Sequence, residues 1–378
     1  MSVHEPHIGL NLIFLVPGET GGMEVAAREL IPALLAAAPG GMRFTAFVNR
    51  EAAADPAWRA GIDSVRVGVN ARSRLQWVVG EQALLPLLAA RARVDLLHSL
   101  ASTAPLWGRF RRVVTVHDLI FARAPEAHAG LRGRGMRVLV PAAARRSQRV
   151  IVDSQSTRED LIEIAGVDAG RIDVVPLGLG AVRRAQAPPE AQLRERLGIG
   201  GRRVLLSLSA KRPHKNLAAL VSALARVPAE QRPVLVLPGY QTWHERELRE
   251  LAAALGVAAD VRFLGWVDDT ELEGLWALAD AFAFPSLYEG FGLPVLEAMA
   301  RGVPVMCSNA SSLPEVAGDA ALLFDPHDGR AIADAMLALL GNEQLRERLR
   351  GRGVDRATQF TWERTAQLTL ASYARALA

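Results

Sequence analysis

Apolar and polar positions follow one another along the chain in two alternating patterns. Short, nearly continuous runs of Val, Ile, Leu, Phe and Ala predict buried strands. Longer stretches with an apolar residue at every third or fourth position predict amphipathic helices. Because the two kinds of element alternate, we expect an α/β fold built on doubly wound parallel sheets.

The alternation runs through the chain twice. In the first half, the pattern predicts strands at residues 8–16, 43–48, 65–69, 96–100, 113–117, 150–153 and 172–176, and helices at residues 23–38, 74–92, 131–147 and 157–165. In the second half, it predicts strands at residues 204–209, 234–237, 261–264, 281–284, 304–308 and 321–324, and helices at residues 215–226, 243–255, 269–279 and 293–301. For 378 residues, two Rossmann-like domains are expected.

A change of composition separates the two series. The residues between Gly178 and Arg203 are rich in Gly, Ala, Pro and charge, which is typical of a linker. The expected division is residues 1–180 for the first domain, 181–203 for the linker, 204–358 for the second domain and 359–378 for a C-terminal helix that packs back on the first domain. Two such domains would face a central cleft, and domain interfaces are a preferred place for ligands.

Two glutamates lie eight positions apart in the second half. Glu289 follows a predicted strand, and Glu297 lies in the next predicted helix. The turn between strand and helix holds Gly290, Phe291, Gly292 and Leu293. Glycine lets the backbone pass close to a ligand, and a helix N-terminus presents unpaired N–H groups to an anion. Since open α/β sheets bind ligands at the carboxyl ends of their strands, we predict a ligand site here.

Each glutamate also has a structural explanation. A helix carboxylate such as Glu297 can accept two hydrogen bonds from a ribose diol, but it also suits the helix dipole at an early helical position. Glu289 can accept hydrogen bonds from a sugar ring or cap its own turn. Farther along, Ser312 with Glu315 fits a helix-capping box, which assigns that pair to structure.

Lysine is rare in this chain and clustered. Of 44 lysines and arginines, only Lys211 and Lys215 are lysines, and Arg212 lies between them. All three precede or open the predicted helix 215–226, where the helix dipole favours an anion. An ammonium is a compact phosphate binder that a guanidinium does not reproduce. We therefore predict a phosphate site, with a charged loop that binds nothing as the alternative.

The first half offers two further candidates. Gly21 and Gly22 lie in a glycine-rich loop after the first strand, but the loop is not G-x-G-x-x-G, and Asn49 stands where a dinucleotide site prefers an acid. Both departures disfavour a nicotinamide enzyme. His117 ends a predicted strand and is followed by Asp118. A lone histidine is more often structural, but this position favours a functional one.

Charge is unevenly distributed although the formal net charge is only +4. Between Arg109 and Arg149, counting both, there are ten arginines and two acids. This pattern fits either a solvated helical face or a basic face for anionic lipid headgroups or a phosphorylated lipid acceptor. Nucleic acid is disfavoured, because no zinc-finger, RNP or basic-zipper pattern accompanies the charge.

The remaining composition limits location and chemistry. The single cysteine, Cys307, excludes an intrachain disulfide and fits a reducing compartment. We expect no secretory signal and no membrane span, and a cytoplasmic protein that lies peripherally on the inner face of the plasma membrane. The eight histidines are scattered, so we expect a site without metal or other cofactor.

Together these motifs resemble the retaining glycosyltransferase family 4 (group 1), whose members have the GT-B fold. The resemblance extends over nearly the whole chain. It rests on the Glu289–Glu297 element, on GWVDD at residues 265–269 and on SNASSLPE at residues 308–315. The PHKN run at residues 213–216 is similar to bacterial mannosyl- and rhamnosyltransferases of surface-polysaccharide assembly.

The resemblance implies a role for each candidate in the second half. Glu297 would bind the nucleotide's ribose. Glu289 would contact the donor sugar, helped by N–H groups of the turn that follows it. Lys215 would neutralise the diphosphate. The family's usual Gly-Arg start is replaced by Ser209-Ala210, which leaves either Lys211 or Arg212 as the second cation.

The resemblance also implies roles in the first half and a reaction. His117 would meet the donor sugar across the cleft, and Gly21 and Gly22 would lie near the diphosphate and the acceptor. The reaction would move a hexose from a nucleotide diphosphate sugar, GDP-mannose as the best single choice, to an acceptor hydroxyl with retention of configuration. The acceptor would be a glycan or a lipid-linked sugar, and the departing phosphate would take the acceptor proton in a front-side mechanism.

Two other functions stay open on the sequence. A GT-B-fold sugar-nucleotide epimerase or hydrolase would need more acid–base side chains in the cleft than the sequence offers. A sugar-nucleotide-binding module without turnover would not need Glu289, Glu297, Lys215 and His117 together.

Overall fold

A computed structural model of the protein describes residues 5–55, 61–124, 131–180 and 186–378. The chain divides into two compact units. The first comprises Met1–Ala122, His128–Gly180 and Phe360–Ala378, and the second comprises Arg123–Ala127 and Ala181–Gln359. Each unit is built on its own parallel sheet.

The described strands fall into two groups. The first unit holds β1 (His7–Leu12), β2 (Arg43–Val48), β3 (Asp63–Arg66), β4 (Leu96–Ser99), β5 (Arg111–Val116), β6 (Arg149–Val152) and β7 (Ile172–Val174). The second unit holds β8 (Val204–Leu206), β9 (Val234–Leu237), β10 (Val261–Phe263), β11 (Ala281–Phe284), β12 (Val305–Ser308) and β13 (Ala321–Phe324).

The α-helices connect these strands. In chain order they are α1 (Gly22–Ala37), α2 (Arg50–Ala54), α3 (Arg74–Val79), α4 (Leu85–Ala92), α5 (Ile120–Arg123), α6 (Leu131–Arg146), α7 (Gln155–Ala165), α8 (Glu190–Leu197), α9 (Leu217–Arg226), α10 (His244–Ala254), α11 (Asp269–Leu278), α12 (Leu293–Ala300), α13 (Leu313–Ala317), α14 (Gly329–Gly341), α15 (Glu343–Ala357) and α16 (Trp362–Leu377). No helix among the described residues is both long enough and apolar enough to cross a bilayer.

Both sheets have the doubly wound order that the alternating pattern predicts. Among the described strands, the first sheet runs β3-β2-β1-β4-β5-β6-β7 and the second runs β10-β9-β8-β11-β12-β13. Every pairing is parallel. The strand order reverses between β1 and β4 and again between β8 and β11. At such reversals the connections leave to opposite sides, which opens a crevice at the carboxyl ends of the two strands.

Burial explains why the strand pattern is apolar without alternation. Val204, Leu205 and Leu206 of β8 are wholly buried, as are all four residues of β9. A parallel sheet with helices on both faces leaves no strand face to solvent. In the second sheet Phe284 of β11 is paired with Cys307 of β12, and the thiol is buried there.

Several strands end earlier in the structure than the sequence pattern predicts. β1 stops at Leu12 although the apolar run continues to Val16, because its register with β2 ends there and the following loop is still buried at Ile13 and Leu15. Likewise, β8 stops at Leu206 rather than at residue 209. An apolar run indicates which residues are buried, and residues remain buried beyond the last one that pairs with a neighbouring strand.

Two other predictions are wrong. The predicted single helix 74–92 is interrupted between α3 and α4 by a π-helical turn, Gly80–Leu84. A side chain at Gly80 would stand 2.9 Å from Val69, so the helix lies against that residue as only glycine allows. The segment predicted as a linker, residues 181–203, contains the helix α8, whose Leu193 and Leu197 are buried. The Gly- and Pro-rich composition of the segment gave no indication of this short amphipathic helix.

The C-terminal helix α16 belongs to the first unit. It packs against α1 and against β4, β5 and β6. The Tyr373 hydroxyl lies 2.6 Å from Nδ1 of His98, and Nε2 of His98 lies 2.8 Å from the Thr115 hydroxyl. Burial lowers the pKa of His98 to about 3, so this imidazole stays neutral and fastens α16 to β4 and β5.

Candidate functional site

The reversal between β8 and β11 brings two predicted residues together. Lys215 follows β8 and Glu289 follows β11, and the Lys215 ammonium lies 2.6 Å from Oε1 of Glu289. Both side chains are mostly buried. The ammonium also stands over the Phe284 ring, 5.4 Å from its centroid. The site is therefore a charge pair at the position where a doubly wound sheet receives its ligand.

Lys215 is held by a short 3-10 turn and not by the helix predicted to begin there. The turn is Pro213–Lys215, and α9 begins only at Leu217. Asn216 between them has a left-handed backbone, with φ of 56°. Its side-chain amide donates to the carbonyls of Pro285 and Pro326 at 3.1 and 2.8 Å. These bonds fasten the Lys215 loop to the loops that follow β11 and β13.

Two serines after β12 hold the Glu289 loop. The Ser311 hydroxyl donates to the Glu289 carbonyl at 2.6 Å. The Ser312 hydroxyl donates to the Phe291 carbonyl at 2.7 Å and lies 3.0 Å from the Glu289 carbonyl. The predicted capping box of Ser312 is therefore wrong, since its side chain caps no helix. The serines instead fix the backbone on either side of Gly290.

The turn after Glu289 leads directly into α12. Gly292 caps the N-terminus of this helix with φ of 109°, and a side chain there would stand 2.6 Å from Leu313. Phe291 is buried beneath the turn, and Leu293 is the half-buried first residue of the helix. Glycine is thus required at residue 292, and the helix N-terminus opens next to Glu289.

Glu297 lies one helical turn farther along α12. Burial raises the pKa of this carboxyl, and the nearby Arg301 guanidinium counteracts burial only in part. Arg301 itself forms an ion pair with Glu273. The Glu297 carboxylate makes no hydrogen bond to another described side chain or backbone group, so its oxygens remain available to accept hydrogen bonds from a ligand.

Lys211 does not lie with Lys215. Its side chain is wholly buried, and Nζ donates to the carbonyls of Gly239 and Leu264 at 2.6 and 2.7 Å. Burial lowers the pKa of Lys211 to about 8. The ammonium joins the loops that follow β8, β9 and β10. Arg212, by contrast, is exposed beside the 3-10 turn.

In the first unit, His117 lies directly after β5 and faces two acceptors. Its Nδ1 is 2.7 Å from Oδ2 of Asp153, and its Nε2 is 2.9 Å from the Leu100 carbonyl. Burial lowers the pKa of His117, but the Asp153 carboxylate and the Leu100 carbonyl outweigh burial and raise it to about 9. The Leu100 carbonyl can only accept, so Nε2 carries a proton, and the raised pKa favours a proton on Nδ1 as well. The ring is therefore poorly suited to act as a base.

Asp153 was not among the site residues predicted from the sequence. It is buried after β6, the strand next to β5, and its Oδ1 has no hydrogen-bond partner among the described residues. The signal that finds it is the one that found His117: a polar residue at the carboxyl end of an apolar strand. Ser311 and Ser312, after β12, follow the same rule.

The glycine-rich loop after β1 ends in exposed backbone. Gly21 caps α1 with φ of 60°, and Gly22 is the first helical residue. Glu24 bends back over the loop and accepts from the N–H of Gly18 at 2.8 Å. Asn49 caps α2 and donates to the carbonyls of Ile13 and Leu15, so it holds this loop in place.

The basic region between Arg109 and Arg149 is only partly described, since residues 125–130 and the side chains of 131–134 lie outside the described residues. The exposed arginines among its described residues are Arg109, Arg111, Arg123, Arg137, Arg145 and Arg146. As for metal ligands, the described residues hold no cluster of three or more His, Cys, Asp or Glu side chains that could bind an ion.

Two family models match the chain. The model described as glycosyl transferases group 1 matches residues 190–356, and the model described as glycosyltransferase family 4 matches residues 20–181. Together the two matches take in most of both units.

Characterised relatives include bacterial sugar transferases. The O-antigen chain mannosyltransferase B of Escherichia coli is 35% identical over 266 residues, which are 70% of each chain. The serotype-specific mannosyltransferase WbdA of E. coli is 32% identical over 279 residues, and the match spans 34% of that longer protein. A D-inositol 3-phosphate glycosyltransferase of Kineococcus radiotolerans is 30% identical over 407 residues, covering 95% of this chain and 92% of that protein.

Solved structures show the same fold. Sucrose-phosphate synthase from Thermosynechococcus elongatus superposes with a TM-score of 0.77 at 22% identity, with 98% of each chain covered. Anabaena HepE, in complex with UDP and glucose, superposes with a TM-score of 0.74 at 22% identity and covers 98% of this chain and 100% of its own. With two parallel doubly wound sheets, a charge pair at the strand reversal of the second and both family models matched, the chain belongs to the group 1 glycosyltransferases of family 4, which have the GT-B fold.

Proposed function

We propose that the protein transfers a hexose from a nucleotide diphosphate sugar to an acceptor hydroxyl, with retention of configuration. Mannose from GDP-mannose is the proposed donor, and a glycan or lipid-linked sugar of surface-polysaccharide synthesis is the proposed acceptor. The observation that carries the proposal is the pair of Lys215 and Glu289, 2.6 Å apart at the strand reversal, with Glu297 on the next helix.

The donor would lie along the carboxyl ends of β8 and β11. Glu297 would accept hydrogen bonds from the ribose, because its carboxylate has no internal hydrogen-bond partner among the described residues. The Lys215 ammonium and the N-terminus of α12 would face the diphosphate. Such a cation is most effective when charge grows on the leaving phosphate, since it stabilises the transition state more than the bound donor.

The Glu289 carboxylate would bind Lys215 before the donor arrives and the donor sugar afterwards. In the structure its carboxylate is joined to Lys215, and the serines behind it hold its backbone. When the diphosphate takes over the ammonium, the carboxylate becomes free to accept hydrogen bonds from the donor sugar. The pair therefore keeps both charges compensated in a partly buried site until the donor replaces the interaction.

His117 would contribute to the reaction through the positive charge of its ring and not as a base. Because both of its ring nitrogens already donate, to Asp153 and to Leu100, it is unsuited to remove the acceptor proton. This supports the proposed front-side route, in which the departing phosphate oxygen takes that proton. Gly21 and Gly22 would offer exposed backbone N–H groups to the diphosphate or the acceptor.

Three observations support the choice of substrates. The E. coli O-antigen mannosyltransferase B and the WbdA mannosyltransferases are among the relatives, which favours mannose and polysaccharide synthesis. HepE was solved with UDP and glucose, which favours a nucleotide diphosphate donor. Finally, the exposed arginines between Arg109 and Arg149 favour a cytoplasmic protein whose basic face meets an anionic membrane or lipid-linked acceptor.

A donor screen tests the proposal. The protein would be incubated with GDP-mannose, UDP-glucose and the other common nucleotide sugars, with and without a mannose-terminated oligosaccharide, and free nucleoside diphosphate would be measured. Acceptor-dependent release from GDP-mannose, unchanged by EDTA, is expected. Conversion of the sugar without an acceptor would favour an epimerase or hydrolase, and binding without any release would favour a module without turnover.

A further inference from the structure

An apolar stripe runs along the solvent side of the helical segment formed by α3, the π turn and α4. The stripe consists of Leu75, Val79, Leu84 and Leu87, which are 76%, 46%, 38% and 59% exposed. The opposite side of the same segment is buried at Gly80, Glu81, Leu85, Pro86 and Ala89. The segment is thus apolar on both sides, although only one side faces the core.

The π turn keeps the stripe in line. In an α-helix the next residue on the same face lies three or four positions on, whereas a π turn closes i to i+5 bonds and lengthens the turn. The N–H of Leu85 donates to the Gly80 carbonyl in this way. Leu84 therefore follows Val79 along the face after five residues, and Leu87 follows after three more. If the same residues were wound as a plain α-helix, Leu84 and Leu87 would rotate away from the stripe.

The π turn also holds Glu81, the acidic residue of the segment, in the interior and not at the surface. Glu81 is the one acid between Arg74 and Arg93, all of which are described, and it is buried. Its Oε1 accepts from the Asn11 amide at 3.1 Å and from the Thr103 hydroxyl at 2.9 Å. The exposed residues of the segment are apolar residues, arginines and Gln76, with no acid among them.

A tryptophan lies beside the stripe. Trp107 is 48% exposed, and its indole N–H donates to the Gln82 carbonyl at 2.5 Å. Gln82 in turn donates to the Ala104 carbonyl, and so joins the Trp107 loop to the helix. A ring anchored at its polar end, with its apolar part outward, suits the boundary between water and lipid. We call Leu75, Val79, Leu84, Leu87 and Trp107 the leucine face.

Positive charge surrounds the leucine face. Arg74 and Arg91 are exposed at the two ends of the stripe. Arg109 is exposed two residues beyond Trp107, and exposed Arg146 donates to the Leu106 carbonyl at 3.2 Å. Exposed apolar groups framed by arginine, without an exposed acid on the helix, are typical of an amphipathic helix that lies in the surface of an anionic bilayer.

We propose that the leucine face inserts into the headgroup region of an anionic membrane, with the α3–α4 segment in the plane of the surface. A second copy of the chain fits this face less well. Two stripes packed antiparallel about a two-fold axis would bring Arg74 of one copy beside Arg91 of the other, and like charges repel. Anionic phosphates, in contrast, would compensate every arginine around the face. The inference goes beyond the transferase reaction and does not depend on it.

Vesicle sedimentation tests the inference with the full-length chain. Binding to vesicles of phosphatidylcholine with phosphatidylglycerol is expected, and weaker binding to phosphatidylcholine alone. Raising the salt concentration should remove the part due to arginines and leave an apolar part. The variant Leu75→Asp/Leu87→Asp should lose at least about tenfold in vesicle affinity, because two charges would enter the lipid region. Trp107 fluorescence should be quenched by brominated lipid in the parent and not in Trp107→Phe.

Matched controls separate folding from binding. Val354 on α15 is 41% exposed, between Leu84 and Val79 of the leucine face, and Val354→Asp should bind vesicles like the parent. Arg74→Gln/Arg91→Gln should weaken binding to anionic vesicles severalfold, whereas Arg330→Gln, an exposed arginine of the second unit, should not. Full vesicle binding by the folded Leu75→Asp/Leu87→Asp variant would overturn the inference. So would a parent that self-associates in light scattering and loses that association, but no lipid binding, in this variant.

Discussion

Lys215 and Glu289, which are 74 residues apart in the chain, form an ion pair between the loops that follow the neighbouring strands β8 and β11. The pair is mostly shielded from water, so each charge depends on the other. Breaking a partly buried pair by removing one partner leaves an uncompensated charge, which costs more than the pair itself contributes. The site is therefore prepared for a ligand that brings its own negative charge to the ammonium.

Replacing Lys215 by alanine should lower turnover by about 10²-fold, because it removes a cation from the phosphate whose charge grows in the transition state. Release of nucleoside diphosphate under saturating donor measures the effect. Lys215→Arg should restore only part of the rate, since a guanidinium does not match the compact ammonium. Arg246→Ala, an exposed arginine of α10, serves as the control and should keep full activity. Parent-like kinetics in Lys215→Ala would place the phosphate elsewhere.

Replacing Glu297 by glutamine should weaken donor binding without destabilising the fold. The raised pKa of this carboxyl means that its ionisation costs stability as pH rises past the ordinary value, and glutamine removes that cost. Loss of charge-assisted hydrogen bonds to a ribose should raise the dissociation constant of the donor by about 10-fold or more. Calorimetry measures binding and urea unfolding measures stability.

Glu347→Gln, which changes an exposed carboxylate on α15, is the matched control for Glu297→Gln. It should leave donor affinity unchanged. Equal donor affinity in the Glu297→Gln and parent proteins would remove the ribose role from Glu297.

Asp153 should make stability depend on pH through His117. The pKa of His117 is raised from 6.5 to about 9 in the folded protein, so its contribution to stability is fully present below pH 6.5 and is lost as pH rises through about 9. Each unit of such a shift corresponds to about 1.4 kcal/mol. The midpoint of thermal unfolding should therefore fall over this range in the parent and fall less steeply in Asp153→Asn.

His327→Gln supplies the control for that measurement, because His327 is exposed in the second unit and its loss should leave the parent's slope unchanged. A slope in Asp153→Asn as steep as in the parent would show that Asp153 does not hold the proton on His117. If activity in the same variant lost its dependence on pH while the protein stayed folded, the imidazolium would be needed for turnover as well.

Lys211 should be important for stability rather than for charge in the site. Lys211→Met leaves the part-buried carbonyls of Gly239 and Leu264 without this donor, which should cost up to about 3 kcal/mol for each. Lys211→Arg should also destabilise, since the wholly buried position has no room for a guanidinium. The midpoint of urea unfolding checks both variants. If the Lys211 variants were as stable as the parent but bound the donor much more weakly, Lys211 would be assigned to the phosphate site instead.

The sheets and the edge that carries the site could be predicted because they depend on local patterns. Apolar runs report burial wherever helices cover both faces of a sheet. His117 follows such a run directly, and Glu289 and Lys215 lie in the loops into which such runs lead. What the pattern could not supply is the direction of a side chain in an irregular loop. Lys211 and Lys215 are four residues apart in one loop, yet one ammonium enters the interior and the other meets Glu289.

Contacts between distant segments were equally hidden from the sequence. Asp153 is 36 residues from His117 and reaches it only because β5 and β6 are neighbours. Ser312 has the spacing of a helix cap, but the loop after β11 passes close enough to take its hydroxyl. The π turn at Gly80–Leu84, in which Glu81 is buried, is likewise not visible in the hydrophobic periodicity.

The pairing of Cys307 with Phe284 gives the second unit a built-in reporter. Burial raises the pKa of this thiol to about 12, so in the folded sheet it is neither ionised nor reachable by a thiol reagent. Since the chain has no other cysteine, every molecule labelled is one in which the strand beside β11 has opened. The labelling rate, compared with that of the unfolded chain, measures the free energy of that opening, and a donor bound between Lys215 and Glu297 should slow it in proportion to its occupancy.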